Sequence, residues 1–423
     1  MKKALFFVFL FSLGLTAQAQ SDTVTVAIQT RLDDLLAKNA DLFSRSQLGL
    51  YVYDLDADCD VYKHGWQQRL RPASTEKVIT ATTALATLGT DYNFSTTLYA
   101  QPDSANHVKS VCIVGRMDPA FSSSDMRAFM DVIKACGDTI DGDVILDMSW
   151  KDSVMKGWGW CWDDDDEDLM PLLYDGKAKF VPRLEEALRK AHIVVMGRIR
   201  EVGTAPSVRG YEKVCTRYHS LDTILKTMLK ESDNLYAESV FYQIAANAKK
   251  PATAATAREQ IYRFISKELG LETSQYQIAD GSGLSLYNYV TPELHVRLLR
   301  WAYKHTGVYN HLRPALPLAG YDGTLRKRMK TGPARGQVMA KTGTVDGVST
   351  LTGYACAPNG HMLAFSIMNQ GIRSASIGRN FQDKVCEALT RALGVAPQKT
   401  EQPEDGRPEQ SESEGELYDP APL

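Results

Sequence analysis

Between Gln337 and Gln370 the sequence reads QVMAKTGT, STLTGYACA and MLAFSIMNQ, three stretches of strand length divided by Val345-Asp346-Gly347 and Pro358-Asn359-Gly360. Alternation of this kind with turn residues at both joints predicts three strands. A helix over Ile377–Leu393, stopped by Gly394, follows them. Near the other end of the chain, Leu48–Leu55 (LGLYVYDL) and Val61–Trp66 predict two strands paired across the polar turn Asp56–Asp60. An amphipathic helix lies before them within Thr23–Leu42, with Ile28, Leu32, Leu35 and Leu36 on one face. A helix, two strands, a long mixed middle, three strands and a helix predict one antiparallel sheet made from both chain ends. Helices flank it and an insertion interrupts it, an α/β (α+β) arrangement.

At 423 residues the chain has room for two domains, or for one domain with a large insertion. The boundaries expected are a main domain from residues 20–93 and 212–395, with a smaller domain inserted at 94–211. The middle holds short strand-like pieces, a helix near Met126–Cys136, and GWGWCWDDDDEDLM over Gly157–Met170. Helical periodicity resumes at Ser220–Lys230, Leu235–Ala248, Thr256–Leu269 and Pro292–His305.

Both termini have a distinct character. Lys2 and Lys3 precede an apolar run from Ala4 to Leu15 and then Ala17-Gln18-Ala19, the pattern of a secretory signal cut after residue 19. Residues 396–423 are rich in Pro, Glu and Ser; from Lys399 onward two basic residues face eight acidic ones, which predicts a disordered acidic tail. The protein is therefore expected to be exported and soluble, with no transmembrane segment in the mature chain. A net charge of -3 gives no support for nucleic-acid binding. Seven dispersed cysteines read mostly as buried thiols, and eight scattered histidines without HExxH give no support for a metal or other cofactor.

Chemistry concentrates in three short motifs. Lys-Thr-Gly occurs at Lys330–Gly332 and at Lys341–Gly343. On a strand beside a nucleophile, the Lys offers charge to a carboxylate, the Thr a hydroxyl, and the Gly close approach. The next residue then offers a backbone N–H to an oxyanion. After Gly332 that residue is Pro333, which has no N–H; after Gly343 it is Thr344, in an alternating strand. Ser-x-x-Lys also occurs twice, at Ser74–Lys77 and Ser153–Lys156. About one or two such matches arise by chance, and context separates them. Ser74 follows Pro72 at the start of a helix running to Leu88, closed by Gly89, with Val78, Ala81, Leu85 and Leu88 on its buried face. Positions i and i+3 share a side, so Lys77 stands over the Ser74 hydroxyl. Ser153 has no such helix. Ser-x-Asn occurs in the polar turn Ser104-Ala105-Asn106 and at the helix joint Ser232-Asp233-Asn234, where a hydroxyl and an amide could relay a proton and hold a substrate amide. Each triplet alone is also an ordinary cap or turn. In order, Ser74-x-x-Lys77, Ser232-Asp-Asn234 and Lys341-Thr-Gly343 form the triple signature of penicillin-interacting serine enzymes.

Beyond the triplets, PASTEKVITATTAL, LKTMLKESDN, ADGSGLS, LPLAGYDGTL and AKTGT resemble the D-alanyl-D-alanine carboxypeptidase/endopeptidase family, the low-molecular-mass class C penicillin-binding proteins. The resemblance covers most of residues 45–395. It implies a β-lactamase/transpeptidase-like core, interrupted between the first two motifs. It also implies cleavage of the terminal D-alanine, or of D-Ala–diaminopimelate cross-links, in peptidoglycan stem peptides in the periplasm, with covalent capture by β-lactams. The roles it implies place Ser74 as nucleophile and Lys77 as its base. Ser232 and Lys341 act on the leaving amine, and Asn234 holds the peptide amide. Lys341 and Thr342 bind the terminal carboxylate, Gly343 allows close approach, and the Ser74 and Thr344 N–H groups receive the oxyanion. A β-lactamase or esterase of the same fold, and a non-catalytic peptidoglycan-binding relative, are the alternatives.

Three departures qualify the resemblance. Only 155 positions separate Lys77 from Ser232, too few for the two inserted modules usual in the family. The family phrase GDPTL stands as Met117-Asp118-Pro119-Ala120-Phe121. The acidic residue that follows W-x-W and binds a side-chain ammonium corresponds to Asp164, after Trp160-Cys161-Trp162. The Arg that follows DGSGLS and pairs the same side chain's carboxylate is Leu286 here. A substrate that keeps the amine but offers no free carboxylate there, or a site that reads that end loosely, is the expectation.

Overall fold

The computed structural model describes residues 23–103, 106–161, 164, 166–206 and 208–394. The leader at 1–19, the tail at 396–423, and Ser104, Ala105 and Trp162 lie outside these. In chain order the helices are α1 (23–38), the single turn α2 (Ala40–Phe43), α3 (Glu76–Leu88), α4 (Ser123–Cys136), α5 (Phe180–Lys190) and α6 (Leu221–Lys226). They continue as α7 (Asn234–Ala248), α8 (Ala254–Leu269), α9 (Pro292–Lys304), α10 (Thr306–Ala315) and α11 (Ala375–Thr390). The strands are β1 (Gln47–Asp54), β2 (Cys59–His64), β3 (Asn93–Pro102), β4 (His107–Gly115), β5 (Thr139–Ile140) and β6 (Val144–Asp147). After them come β7 (Val194–Val195), β8 (Ile199–Val202), β9 (Glu212–Ser220), β10 (Val338–Val345), β11 (Val348–Cys356) and β12 (Met362–Gln370).

Five strands in the order β10-β11-β12-β1-β2 form one antiparallel sheet from both chain ends. β1 lies against β12 from Gln47↔Gln370 to Asp54↔Leu363, so the two termini of the described chain are zipped into adjacent rows. The strand period sends alternate side chains to opposite faces. Tyr51 and Tyr53 meet Val78, Val296 and Leu312 of α3, α9 and α10 in one core. Leu48, Leu50 and Val52 meet Ile28 and Leu32 of α1 and Phe381 and Val385 of α11 in the other. Burying both faces leaves only the edges for chemistry, and β10 is an edge.

A second sheet has the order β7-β5-β4-β3-β9, with β6 joining β4 to β8. Its outermost strands in sequence, β3 and β9, pair antiparallel from Asn93↔Ser220, so the chain enters and leaves this region side by side. Leu98, Ile113, Phe121, Phe129, Phe180 and Leu184 form its core with α4 and α5. No helix among the described residues is long and apolar enough to cross a membrane.

Some elements differ from the sequence reading. α11 ends at Thr390 rather than Leu393, because the Arg31 guanidinium takes the carbonyls of Arg391 (2.7 Å) and Ala392 (3.1 Å) and draws the chain out of the helix. The helix expected over Ser220–Lys230 is α6 followed by a widened π turn, Thr227–Glu231. α5 and α10 are additional helices. Cys112 and Cys386 are buried thiols, but Cys136 and Cys161 are exposed.

Candidate active site

Ser74 sits in a 3-10 turn, Ala73–Thr75, that leads directly into α3. Its position at the mouth of a thirteen-residue helix surrounds it with unpaired N–H groups and partial positive charge. The turn is pinned from both sides. Thr350 Oγ1 donates to Pro72 O at 2.7 Å. Gly283, at φ +81°, passes so close that a Cβ there would lie 1.9 Å from Ala73 O.

One turn on, Lys77 Nζ lies 3.1 Å from Ser74 Oγ, 2.7 Å from Asn234 Oδ1 and 2.8 Å from Ser282 O. A neutral amine has two hydrogens and one lone pair. The amide and carbonyl oxygens take the hydrogens, which turns the lone pair toward the Ser74 hydroxyl. Burial lowers the Lys77 pKa to about 8, although nearby carboxylates, Asp280 and Glu238 foremost, oppose the shift.

The second amine comes from the edge strand. Lys341 Nζ donates to Ser232 Oγ and to Thr342 O, both at 2.8 Å. Burial, and then the charge of Lys77, push it well below the usual lysine range. Ser232 holds its hydroxyl there through a left-handed conformation, φ 65°, at the end of the π turn. Asp233 caps α7 through Tyr236 N at 2.9 Å, which leaves the flanking Ser232 and Asn234 free for the cleft.

β10 brings the two halves together. A Cβ on Gly343 would strike Thr350 Oγ1 at 2.2 Å and Pro72 O at 2.8 Å, and would lie 3.0 Å from Ser74 N. Only glycine lets the strand lie against the serine turn. On the outer edge of β10, Val338 O accepts from Ala319 N and Ala340 N donates to Pro317 O. The two-residue period therefore aims the Thr342 and Thr344 backbone groups away from β11 as well. Thr342 Oγ1 donates to Thr324 Oγ1 at 2.8 Å.

Carboxyl groups back the Lys77 side. Asp280 accepts from Gly283 N, Ser285 N, Asn288 Nδ2 and Trp160 Nε1 at 2.7–2.9 Å. Glu238 accepts from Gly281 N at 3.0 Å and Ser282 N at 2.8 Å; burial pushes its pKa up to about 8. Glu76 is buried, its carboxyl oxygens have no hydrogen-bond partner among the described residues, and burial holds it well above the carboxylate range.

Of the residues singled out in the sequence, Ser74, Lys77 and Asn234 form one hydrogen-bonded set and Ser232, Lys341 and Thr342 another, joined at Gly343. Asp164 is not part of either: its carboxylate accepts from Cys161 N at 2.6 Å. Asp166, two residues on, instead accepts from Asn234 Nδ2 at 2.9 Å. Leu286 is half-buried, and its carbonyl accepts from Arg71 Nε at 3.0 Å, so a guanidinium stands beside it from another part of the chain. Ser153 is exposed, and Lys156 is bound to Asp166 O and Asp168. Lys330–Gly332 is an exposed turn. Sequence reasoning missed Asp166, Arg71, Glu76, Glu238 and Asp280, although Glu76, Asp166 and Asp280 stood in stretches already quoted, PASTEKVITATTAL, GWGWCWDDDDEDLM and ADGSGLS.

The profile of the D-Ala-D-Ala carboxypeptidase 3 (S13) family matches residues 28–172 and 172–392. A D-alanyl-D-alanine carboxypeptidase from Actinomadura sp. (strain R39) is 26% identical over 82% of this chain and 81% of its own length. A D-alanyl-D-alanine carboxypeptidase from Haemophilus influenzae is 35% identical over 34% of this chain and 30% of its own. In three dimensions, penicillin binding protein 4 from Haemophilus influenzae superposes with a TM-score of 0.75, at 21% identity, over 83% of this chain and 98% of that one. The chain belongs to the D-Ala-D-Ala carboxypeptidase 3 (S13) family and is a serine carboxypeptidase-type hydrolase.

Proposed function

We propose that this enzyme cleaves peptidoglycan stem peptides after D-alanine through an acyl-enzyme on Ser74, and that β-lactams trap it at that step. The contact of Lys77 Nζ with Ser74 Oγ, with two acceptors holding the amine's hydrogens, carries the reading. As Ser74 Oγ bonds the D-Ala carbonyl carbon, Lys77 takes its proton, and the oxyanion is received by the N–H groups of Ser74 and Thr344. Lys341 and Thr342 hold the carboxylate of the leaving residue, whose charge restores the ammonium that burial disfavours. Ser232 and Lys341 pass a proton to the departing nitrogen, Asn234 holds the peptide amide, and water then releases the acid and regenerates Ser74.

On this reading the catalytic domain is drawn from residues 20–93 and 212–395, the segment 94–211 is the insertion, and removal of residues 1–19 delivers the enzyme to the periplasm. The acidic loop receives an amine on the substrate side chain through Asp164 or Asp166. Kinetics on matched peptides decide the other end of that side chain: a strong preference for a free carboxylate there would give Arg71 the role that Leu286 cannot fill.

Intact-mass spectrometry after penicillin treatment tests the core of the proposal. One long-lived adduct is expected, lost in Ser74→Ala and retained in Ser153→Ala. An adduct that persists in Ser74→Ala sinks the assignment, and rapid turnover of the drug would make the protein a β-lactamase.

A further inference from the structure

Two oxygens hold the hydrogens of the Lys77 amine, and one face of α7 governs both. Asn234 Oδ1 does so directly, at 2.7 Å. The other, Ser282 O at 2.8 Å, belongs to a loop and has no helix to fix its direction. One turn along α7 from Asn234, on the same side, Glu238 reaches that loop. Its Oε1 accepts from Gly281 N at 3.0 Å and from Ser282 N at 2.8 Å. Thr80, on α3 beyond Lys77, donates through Oγ1 to Gly281 O at 2.7 Å. The peptide between Gly281 and Ser282 is therefore gripped at both ends, its N–H by Glu238 and its C=O by Thr80. The same loop braces the nucleophile. Gly283 packs against Ala73 O, and Ala73 stands at φ 46°, in the left-handed region that side-chain residues avoid. Such a conformation lasts only where its surroundings over-determine it. A shift of this loop would move the acceptor of the base and loosen the serine turn together.

We infer that Glu238 is a positioning residue for acylation, acting through the Gly281–Gly283 loop as a hydrogen-bond acceptor that aims the Lys77 lone pair at Ser74 and braces the serine turn. The inference rests on the Ser74 reading, with Lys77 as base, and adds a residue which that reading does not use. Glu238 is buried, and among the described residues its hydrogen bonds go to the loop and not to Ser74 or Lys77. A carboxylate acting only by its field would hold the proton on Lys77. Its removal would carry the midpoint of the pH profile downward and leave the plateau unchanged. An acceptor acting on geometry sets the height of the plateau, because a misdirected lone pair stays misdirected at every pH.

The test compares two substitutions of similar length. Glu238→Gln keeps an oxygen for the Gly281 and Ser282 N–H groups, and Glu238→Met removes it. Met has apolar company there, since Glu238 lines a cavity of about 420 Å³ together with Leu169, Phe241 and Tyr242. Penicillin acylation is followed against pH up to its plateau, and long incubation counts the sites that label, so each rate is expressed per folded site. The plateau of Glu238→Gln is expected within about threefold of the natural chain, and that of Glu238→Met about 10²-fold lower. A Met plateau equal to the natural one, or a Gln plateau as low as that of Met, overturns the role. The Gln variant also stands alone: if Glu238→Met yields no folded protein, a Gln plateau lowered about tenfold or more still overturns it. If the natural chain never labels, or labels equally in Ser74→Ala, the acyl-enzyme reading falls and this role falls with it.

Discussion

Lys77 and Lys341 are both buried lysines in one cleft, yet the polypeptide around each is of opposite character. Behind Lys77 stand Glu76, Glu238 and Asp280, with Asp166 reaching Asn234 in front. Around the strand that carries Lys341 stand Arg326, Lys327, Arg328 and Arg379, and among the described residues the charge that acts on its amine is that of Lys77. Burial lowers the first amine's pKa to about 8 and the carboxyl groups limit the fall, which leaves a base that can both accept and return a proton. The second has no carboxylate of its own and gains charge when a substrate brings one. In the proposed mechanism the same residue type thus serves as base in one place and as the carboxylate's partner in the other.

Substituting each lysine by Met offers the largest effect with which to break this comparison. Lys77→Met is expected to slow β-lactam acylation of Ser74 by about 10³-fold or more, in the upper range for a positioned general base. Lys341→Met is expected to cost about 10²-fold, a loss of charge stabilisation, with part of it recovered for a substrate lacking the carboxylate. Stopped-flow acylation rates measure both. Equal losses, or a larger one for Lys341→Met, would mean that the two amines do not divide the work as their surroundings imply.

Acylation against pH sharpens the comparison further. In the proposed mechanism Lys77 is the base when deprotonated, and burial lowers its pKa to about 8. The rate should climb as pH rises toward about 8 and then level off. The field of Asp166 keeps the proton on Lys77, so Asp166→Asn should move the midpoint to lower pH and raise the rate at pH 7 by about twofold. A midpoint that does not move would place Asp166 outside the electrostatics of this amine.

The division between regions also marks what the sequence made legible. β10–β12 could be read because their period of two survives burial of both faces, and Ser74 with Lys77 because three residues along a helix fall on one side. α5 and α10 could not: Pro182 near the start of one, and Gly307 and Pro314 in the other, are local breakers. Leu184 and Leu188, and Val308 and Leu312, nonetheless anchor these helices in the cores. Tertiary burial overrode propensity. Of the carboxyls, Asp166 looked like one member of a solvated run and Glu76 like a surface position of a helix. Whether a carboxylate is buried, and which amine it faces, is decided by segments distant in the chain, Asn234 lying 68 residues from Asp166 and Glu238 162 from Glu76, and has no local pattern.

Glu76 gives the smallest and most specific test. Its side chain is buried without a hydrogen-bond partner among the described residues and is pushed well above the usual carboxylate range by burial, then by Asp280 and Glu238. In the unfolded chain the same group ionises near 4.5. Between that value and its folded pKa the native state binds more protons than the unfolded one, so this residue withdraws stability as pH rises. Glu76→Gln keeps the shape and abolishes the titration. The Tm of the variant relative to the natural chain should therefore be higher at pH 8 than at pH 5, by on the order of 2 °C or more. Calorimetry at the two pH values reads this directly. A gap that stays constant would mean that Glu76 is ionised in the folded protein and that a charge, not a neutral acid, lies beside Lys77. That charge would hold the proton more firmly on Lys77, and the pH profile of acylation would shift upward with it.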